Sequence, residues 1–370
     1  MFKKRLAMGI LAGIMACSFI AGCGGDKTPE KKQAAAPPPT ETKQVEAVLP
    51  APTSVAKNIK IGNNTYKLIP LKNETGLILD DGLTLGNKMV FSHDNLLYAA
   101  PNNRKLVQLK LEANKLTVVK ELAQKSDSVK TQLSANAKGV YYGKGSYLAY
   151  YDEAKDSSSI VLKKQGYPTL ITQGNSKNIL VWINEQAISK YVLNPDGSIG
   201  KELPKVRADY KTRVNENNPD VIRISSTIVS DYEGIFYLGG TQNDREKAVQ
   251  GKLGTVGGRV FQYDANGKIL RTYGNVPKKT PGYSEVVNDI GVTQKYLVVA
   301  DSDYKTRKLN IYEKSTARYL GSIDYKELQP EEQDFNIAKV NLVSLPENKL
   351  IIVAGNKKNK MADVAYLLQL

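Results

Sequence analysis

The sequence predicts an all-β protein, a six-bladed β-propeller that follows a signal peptide and a disordered linker. Short apolar runs recur about every 40 to 60 residues, a period that suits a four-stranded blade. Hairpins with tight turns follow several of these runs, and no long amphipathic helical pattern separates them, which argues against β-α-β units. The six runs occupy residues 96–100, 140–142, 179–183, 235–238, 296–300 and 350–354.

Two segments of the C-terminal half carry the same hairpin pattern. Residues 191–199 and 261–269 each predict a strand, a tight turn and a second strand, with Gly197 and Gly267 in the turns. Glycine suits these positions because such turns require a positive φ angle. An apolar run precedes each hairpin, as expected for a strand that is buried on both faces within its sheet.

The sequence around the second hairpin resembles a known family. Residues 258–274 and 287–302 are similar to blade halves of NHL-type six-bladed β-propellers. The similarity covers blades four and five, whereas the first three blades lack the regular glycine and aspartate positions of that family. Because NHL-type propellers have many functions, the resemblance implies a fold more than a role.

The two ends of the chain are expected to meet in one blade. Strands near residues 339–345, 350–354 and 364–370 leave the last blade one strand short, and residues 65–71 form a strand with no blade of its own. We expect the N-terminal strand to complete the last blade, which would leave no open edge there. A two-domain β protein is the alternative.

The N-terminus predicts export and lipid anchoring. A basic start precedes an apolar stretch at residues 6–20, which is shorter than the roughly 20 residues that span a bilayer. Residues 20–23, Ile-Ala-Gly-Cys, resemble the lipobox of bacterial lipoproteins. The resemblance implies cleavage after residue 22, acylation of Cys23 with fatty acids such as palmitate, and an extracytoplasmic location on the cell membrane or outer membrane. A plain secretory signal is the alternative.

The rest of the chain divides into a linker and a folded part. Residues 23–58 are rich in Ala, Pro, Lys and Glu and predict a flexible linker, and residues 59–370 predict the propeller. The only other cysteine, Cys17, lies in the predicted signal peptide, so no disulfide is expected. With His93 as the single histidine, a structural zinc site is excluded.

Charge and loop length predict an interaction face. The chain carries a formal net charge of +15, and a positive surface attracts anionic partners. The long connections at residues 206–221, 275–284, 329–336, 241–257, 301–307 and 355–361 should gather on one face of a propeller. The alternative is an ordinary solvated surface. The expected basic residues of this face are Arg207, Lys211, Arg213, Arg245, Lys247, Lys252, Lys278, Lys279, Lys305, Arg307, Lys357, Lys358 and Lys360.

A metal site at the propeller axis is a second hypothesis. Asn288 and Asp289 fall near the start of an inner strand, with Glu285 nearby, and Asp334 and Asn336 hold a comparable place in the last blade. Such oxygen ligands suit calcium. The first three blades offer no matching carboxylate, so we expect no cofactor and expect Asp289 to hydrogen-bond neighbouring backbone.

Other catalytic signatures are absent from the sequence. It contains no Gly-x-Ser-x-Gly nucleophile motif, and His93 lies near a predicted turn without an evident Ser or Cys partner. Residues 251–258 are glycine-rich but lack the Lys-Ser/Thr ending of a phosphate-binding loop, so we expect a loop there. Trp182 lies in an apolar run and is expected in the core.

The sequence thus favours a cell-envelope lipoprotein that acts as a binding or scaffold module. Its expected partner is an envelope protein or an anionic envelope polymer, with the membrane reached through the lipid anchor and no nucleic acid expected. One alternative is a metal-dependent hydrolase or lactonase with a site at the axial pocket. The other is a structural subunit of an envelope protein complex.

Overall fold

The structure described is a computed structural model. The chain divides into two units, Met1–Pro50 and Ala51–Leu370, and all described residues belong to the second unit. The predicted signal peptide, Cys23 and nearly all of the predicted linker therefore lie outside the described residues. Those residues are 56–73, 89–100, 106–122, 133–144, 147–163, 167–173, 177–183, 188–206, 222–230, 235–243, 255–264, 268–301, 307–328, 337–356 and 364–370.

The prediction of an all-β protein is confirmed. The described residues form strands together with one short 3-10 turn at Tyr325–Leu328. In this part of the chain, no helix has the length and apolar character needed to cross a membrane. The strands are organised in six sheets, four with four strands and two with five.

The sheets are named I to VI in chain order, and within each the strands lie side by side in the order given. Sheet I contains β4 (Met89–Phe91), β5 (Leu96–Ala99), β6 (Val107–Glu112), β7 (Lys115–Glu121) and β3 (Lys72–Asn73). Sheet II contains β8 (Ser134–Asn136), β9 (Gly139–Lys144), β10 (Tyr147–Asp152) and β11 (Ser157–Leu162). Sheet III contains β12 (Tyr167–Gln173), β13 (Lys177–Ile183), β14 (Ile188–Leu193) and β15 (Ile199–Val206).

The second half of the chain supplies the other three sheets. Sheet IV contains β16 (Ile222–Ser230), β17 (Phe236–Asn243), β18 (Thr255–Tyr263) and β19 (Ile269–Tyr273). Sheet V contains β20 (Val287–Val292), β21 (Tyr296–Asp301), β22 (Lys308–Glu313) and β23 (Tyr319–Asp324). Sheet VI contains β24 (Ile337–Leu345), β25 (Lys349–Asn356), β26 (Val364–Gln369), β2 (Asn64–Pro70) and β1 (Lys57–Ile61).

The first strands of the sheets contact one another in a closed cycle. β4 contacts β8, β8 contacts β12, β12 contacts β16, β16 contacts β20, β20 contacts β24, and β24 contacts β4. Each sheet therefore has one strand on a common axis and its later strands farther out. This radial arrangement is a β-propeller, as the sequence predicts.

Sheet VI joins the two ends of the chain. β2 pairs antiparallel with β26, from Lys67 opposite Gln369 to Pro70 opposite Tyr366. Leu68 of β2 is fully buried in the core that sheets V and VI share. A strand at residues 65–71 was expected from the sequence in this place, next to the C-terminal strand.

Two further N-terminal strands were not expected from the sequence. β1 forms a hairpin with β2 and packs against β23 of sheet V, where the absence of a side chain on Gly321 lets Ile61 approach closely. After β2, the short strand β3 runs parallel to β7 of sheet I. The N-terminal segment therefore links the outer parts of three sheets.

The apolar runs form the second strand of each sheet. In β21 the residues from Leu297 to Asp301 are buried, and in β25 the residues from Leu350 to Gly355 are buried. Their side chains alternate between the cores on either side: Ile352 packs in the core shared with sheet V, and Val353 in the core shared with sheet I. A strand flanked by two hydrophobic layers needs apolar residues at every position.

Candidate functional site

The strand order determines from which end of a sheet each connection leaves. Within each sheet, the link from the second to the third strand and the link to the next sheet leave from the same end. Strands occupy the ends of four expected loops, because β15 extends to Val206, β17 to Asn243, β21 to Asp301 and β25 to Asn356.

The glycine-rich segment 251–258 was wrongly assigned to a loop over its second half. Thr255–Tyr263 is strand β18, which includes Gly258. A Cβ atom on Gly258 would lie 2.7 Å from the backbone nitrogen of Val287. Gly258 therefore allows the backbones of two strands to approach each other closely. Residues 251–254, the first half of the segment, lie outside the described residues.

Three of the predicted basic residues, Lys278, Lys279 and Arg307, belong to the described part of the chain. Lys278 and Lys279 lie in the connection from sheet IV to sheet V, and Arg307 directly precedes β22 of sheet V. The remaining predicted binding residues lie outside it: Arg207, Lys211, Arg213, Arg245, Lys247, Lys252, Lys305, Lys357, Lys358 and Lys360.

The connection from β19 to β20, residues 274–286, presents two of these lysines. Thr280 Oγ1 donates a hydrogen bond to the carbonyl of Pro277 at 2.7 Å, and the intervening Lys279 has φ +68°. Lys279 is exposed, whereas Lys278 Nζ lies 2.8 Å from Glu285 Oε1. The two neighbouring cations therefore differ: Lys278 has a carboxylate partner, and Lys279 points its charge toward solvent.

Buried polar side chains of sheet V hold this loop in place. The Asp301 carboxylate accepts hydrogen bonds from the backbone nitrogens of Glu285 at 3.0 Å and Val286 at 3.2 Å. Asn310 Nδ2 donates to Ser284 Oγ at 2.8 Å, and the Tyr312 hydroxyl donates to the carbonyl of Gly282. Because these groups lie on strands, the lysines project from a supported loop.

Glu285 receives two donors. Besides Lys278, the Tyr283 hydroxyl donates to Glu285 Oε2 at 3.1 Å. Burial, and then the Glu285 carboxylate, raise the pKa of Tyr283 to about 12, while the Arg259 guanidinium acts in the opposite direction. Glu285 is thus engaged in orienting the loop.

Arg307 differs from the solvent-facing cation that the sequence predicted. It is half-buried, and the backbone nitrogen of Tyr325 donates to its carbonyl oxygen at 3.1 Å. Burial, followed by the carboxylates of Asp301 and Asp289, raises the pKa of the Tyr325 hydroxyl, and the nearby Arg307 charge partly opposes them. The Arg307 guanidinium therefore affects the electrostatic potential in the interior between sheets V and VI as well as at the surface.

The candidate metal ligands Asn288 and Asp289 connect two inner strands. Asn288 Nδ2 donates to the carbonyl of Val340 at 2.8 Å. The buried Asp289 accepts from the backbone nitrogens of Ile290 at 2.9 Å and Leu342 at 2.8 Å, one with each carboxylate oxygen. These contacts give both residues a structural role between β20 and β24.

The structure describes only one of the other proposed metal ligands. Asp334 and Asn336 lie outside the described residues, and Glu285 is engaged as described above. Within the described ranges, no group of three or more His, Cys, Asp or Glu side chains is placed to hold a metal ion.

His93 has a serine neighbour that the sequence analysis did not recognise. In the turn between β4 and β5, its Nδ1 lies 2.8 Å from Ser92 Oγ. The Ser92 hydroxyl donates to the backbone carbonyl of Asn136 at 2.6 Å, in the neighbouring sheet II. The hydroxyl hydrogen is therefore directed at a structural acceptor, so the pair links two sheets and is not arranged as a nucleophile and base. The side chain of Trp182 lies outside the described side chains.

Tyrosines are the polar residues that sequence reasoning missed. Tyr98 of sheet I donates to Glu153 Oε2 at 2.8 Å, Tyr141 of sheet II to the carbonyl of Gly197 at 2.7 Å, and Tyr273 of sheet IV to the carbonyl of Lys314 at 2.6 Å. Each acceptor lies in the turn between the third and fourth strands of the next sheet. The available signal was the number of tyrosines, 21 in the chain, together with the expectation that the folded part has no disulfide.

Comparisons with known proteins add a general similarity of shape. No protein-family model and no curated protein matches the chain. Among solved structures, a chain of the mitotic checkpoint complex aligns at 12% identity over 83% of this chain and 82% of that one, with a TM-score of 0.45. The Neurospora crassa Pan2 WD40 domain aligns at 11% identity over 76% and 88%, with a TM-score of 0.42.

A third solved structure, Kuenenia stuttgartiensis hydrazine synthase, aligns at 11% identity over 61% of this chain and 56% of that one, with a TM-score of 0.39. All three scores are below 0.5. The fold assignment therefore rests on the sheets and contacts of the chain itself, and the neighbours carry no conclusion about its role.

Proposed function

We propose that this chain is a lipid-anchored propeller of the bacterial cell envelope that acts as a binding or scaffold module. Its partner, an envelope protein or anionic envelope polymer, meets the face that carries the long connections. The NHL-type resemblance stays a prediction about the fold, and the proposed role involves no chemical reaction.

The propeller proposed here has six blades, one for each sheet. In sheets II to V the four strands of each sheet are consecutive in the chain. Sheets I and VI each contain four strands of the same kind plus one added strand, β3 or β1. The N-terminal strands therefore extend two blades without adding a seventh.

The closed cycle of contacts among the inner strands carries the binding hypothesis. Because β4, β8, β12, β16, β20 and β24 adjoin one another in order, the strand ends that flank the long connections face the same way. Long connections are commonly functional. Lysine and arginine outnumber aspartate and glutamate in these connections by thirteen to ten, and the net positive charge of the face would attract anions.

The proposed address depends on residues 20–23. Their match to the lipobox pattern, after a basic start and an apolar stretch, supports acylation of Cys23. Replacing Cys23 by Ser should shift the protein from the detergent phase to the aqueous phase when bacterial membranes are extracted and phase-separated. Unchanged partitioning, with no acyl mass on the N-terminal peptide, would contradict the anchor.

The binding face is tested on the full chain, solubilised in a nonionic detergent. Retention on an immobilised anionic polymer should fall as salt rises, because surface charges are screened. Changing Arg245, Lys247, Lys278 and Lys279 together to Glu should abolish retention. The matched control changes the exposed Lys60, Lys67, Lys268 and Lys295 to Glu, which alters net charge equally but lies away from the long connections.

Two outcomes would contradict the basic-face proposal. Equal losses in both quadruple variants would mean that net charge alone governs retention. Salt-insensitive co-purification with an envelope protein, unaffected by either variant, would instead support a structural subunit in which the charge is incidental.

A further inference from the structure

The outermost strand of a propeller sheet exposes backbone donors and acceptors that can pair with another strand. Natural proteins protect such edges with charged residues, proline or covering segments. The outermost strands of this chain allow a direct comparison of that protection, because they occupy equivalent positions in their sheets.

All but one of these described outer strands carry such protection. In sheet I the outer strand is paired with β3, and in sheet V it is packed against β1. β15 contains Lys201, Glu202, Pro204 and Lys205. The outer strand of sheet IV contains Arg271, and β1 contains Lys57 and Lys60.

β11 of sheet II is the exception. Its sequence, Ser-Ser-Ser-Ile-Val-Leu, has no charge and no proline. The residues from Ser157 to Ile160 are exposed, and Ile160 retains 47% of its accessible surface. β11 ends its sheet, and none of the described strands pairs with its outer edge.

Charges at the two ends of β11 are of opposite sign. Asp156 precedes the strand and Lys163 follows it, and both are exposed. The Asp156 carboxylate already accepts from Lys120 Nζ at 2.7 Å and from the Tyr151 hydroxyl at 2.8 Å, both through Oδ1. An antiparallel copy of the same strand would bring its basic end beside this acidic end.

We propose that β11 pairs antiparallel with β11 of a second copy of this chain. Across a twofold axis, Ile160 lies opposite the Ile160 of the other copy, and the exposed apolar side chains cover each other. The opposite end charges attract in this arrangement, whereas a partner strand with a charged centre would leave a charge against Ile160. Self-complementarity therefore favours a second copy as the occupant.

The area available is small, so the association should be weak. A six-residue strand edge buries much less than the roughly 1,200 Å² of a stable interface. Anchoring on a membrane would raise the local concentration of the two copies and favour pairing. The dimer is therefore expected at high protein concentration or on membranes.

Thiol cross-linking of the full chain tests the proposed register. In the Ile160→Cys variant, the two introduced thiols would lie directly opposite each other, about 5 Å apart between Cβ atoms. Mild oxidation should give a disulfide-linked dimer on non-reducing gels. The matched control is Leu270→Cys, an exposed apolar residue on the outer strand of sheet IV, and the unchanged chain measures the background from its own cysteines.

A second variant tests the same contact without cross-linking. Ile160→Lys places like charges opposite each other, and should weaken self-association in sedimentation velocity by about tenfold or more. Ile160 is exposed, so this change should leave the circular dichroism spectrum unchanged. Leu270→Lys should not alter self-association.

Each other outcome overturns the proposal. Equal dimer yields for the two cysteine variants would place the contact elsewhere. Cross-linking of the cysteine at position 160 to a different protein, with no self-linked product, would make β11 a site for another partner strand. A monomer at all concentrations, in detergent and on membranes, would exclude pairing of two copies.

Discussion

Asp289 shows how one buried side chain joins two inner strands. Its carboxylate accepts backbone hydrogens of Ile290 in its own strand and Leu342 in the neighbouring inner strand. Its neighbour Asn288 donates to Val340 on the same strand. A buried carboxylate is stable only when it is hydrogen-bonded, so this residue type at the inner strand couples two adjacent sheets.

Replacing Asp289 by Ala should therefore destabilise the fold strongly. The change leaves the buried nitrogen of Leu342 without its acceptor and creates a small cavity, and we expect a loss of about 2–4 kcal/mol in the free energy of unfolding. Urea denaturation followed by circular dichroism measures it. Glu112→Ala is the control, since Glu112 makes only an exposed ion pair with Lys110, and an equal loss in both variants would contradict the bridging role.

Some contacts of single residues cannot be predicted from their spacing along the chain. Asp289 lies at the start of a predicted inner strand and has no matching carboxylate in the first three blades, which indicated backbone hydrogen bonding, and the structure has that contact. The Ser92 link to sheet II and the Lys278 pair with Glu285 depend on which loops meet in space. The spacing of residues in one sequence does not show which loops lie next to each other in the fold.

At the scale of elements, tyrosines of sheets I, II and IV fasten their own sheet to a turn of the next one. Tyr141 lies on the second strand of sheet II and is fully buried, and its hydroxyl donates to Gly197 in the hairpin of sheet III. The turn requires glycine there, since Gly197 has φ +80° and a Cβ atom on it would clash with the ring of Tyr150. One tight turn thus completes a hairpin and receives a bond from the neighbouring sheet.

Tyr141→Phe tests this fastening with little change of shape. It removes the hydroxyl and leaves the buried carbonyl of Gly197 without that donor, and should cost about 1–2 kcal/mol in the free energy of unfolding. Tyr147→Phe, at the exposed start of β10, should change stability by less than about 0.5 kcal/mol. Thermal or urea unfolding of both variants decides the matter, and equal effects would count against a specific hydrogen bond.

Strands were predictable where local patterns determine them. The apolar runs and glycine turns gave the hairpins of sheets III to V, because burial on both faces and positive φ each restrict residue choice. β1 and β3 were not predicted from the sequence. They lie on the outside of the sheets, where Lys57, Lys60 and Lys72 are compatible with either a strand or a loop, so contact with distant strands decides their structure.

On the scale of the whole molecule, closure of the ring depends on both ends of the chain. β2 and β26 come from opposite ends and form adjacent strands of one sheet. β2 can pair with β26 only after the chain has been synthesised through β26. Since the described core is built between sheets, loss of one sheet contact exposes apolar surface on its neighbours as well, which favours cooperative unfolding.

Buried tyrosines also make the stability of the whole molecule sensitive to alkaline pH. Burial is the main cause that raises the pKa of Tyr150 and Tyr366 to about 12, as it does for Tyr283, and the pKa values of Tyr98, Tyr141 and Tyr312 rise further. In the unfolded chain a tyrosine ionises near pH 10. The folded state therefore binds these protons more tightly, and their contribution to stability is complete below pH 10.

The stability should fall as pH rises from about 10 through 12, since the unfolded state releases those protons first. Titration of tyrosinate absorbance should show one group of exposed residues near pH 10 and a later, steep group that coincides with loss of the β-sheet circular dichroism signal. The same titration in concentrated urea should give a single step near pH 10. If all tyrosines ionise near pH 10 while the sheet signal persists, the tyrosines are not held in the buried positions from which the fastening of the sheets is argued.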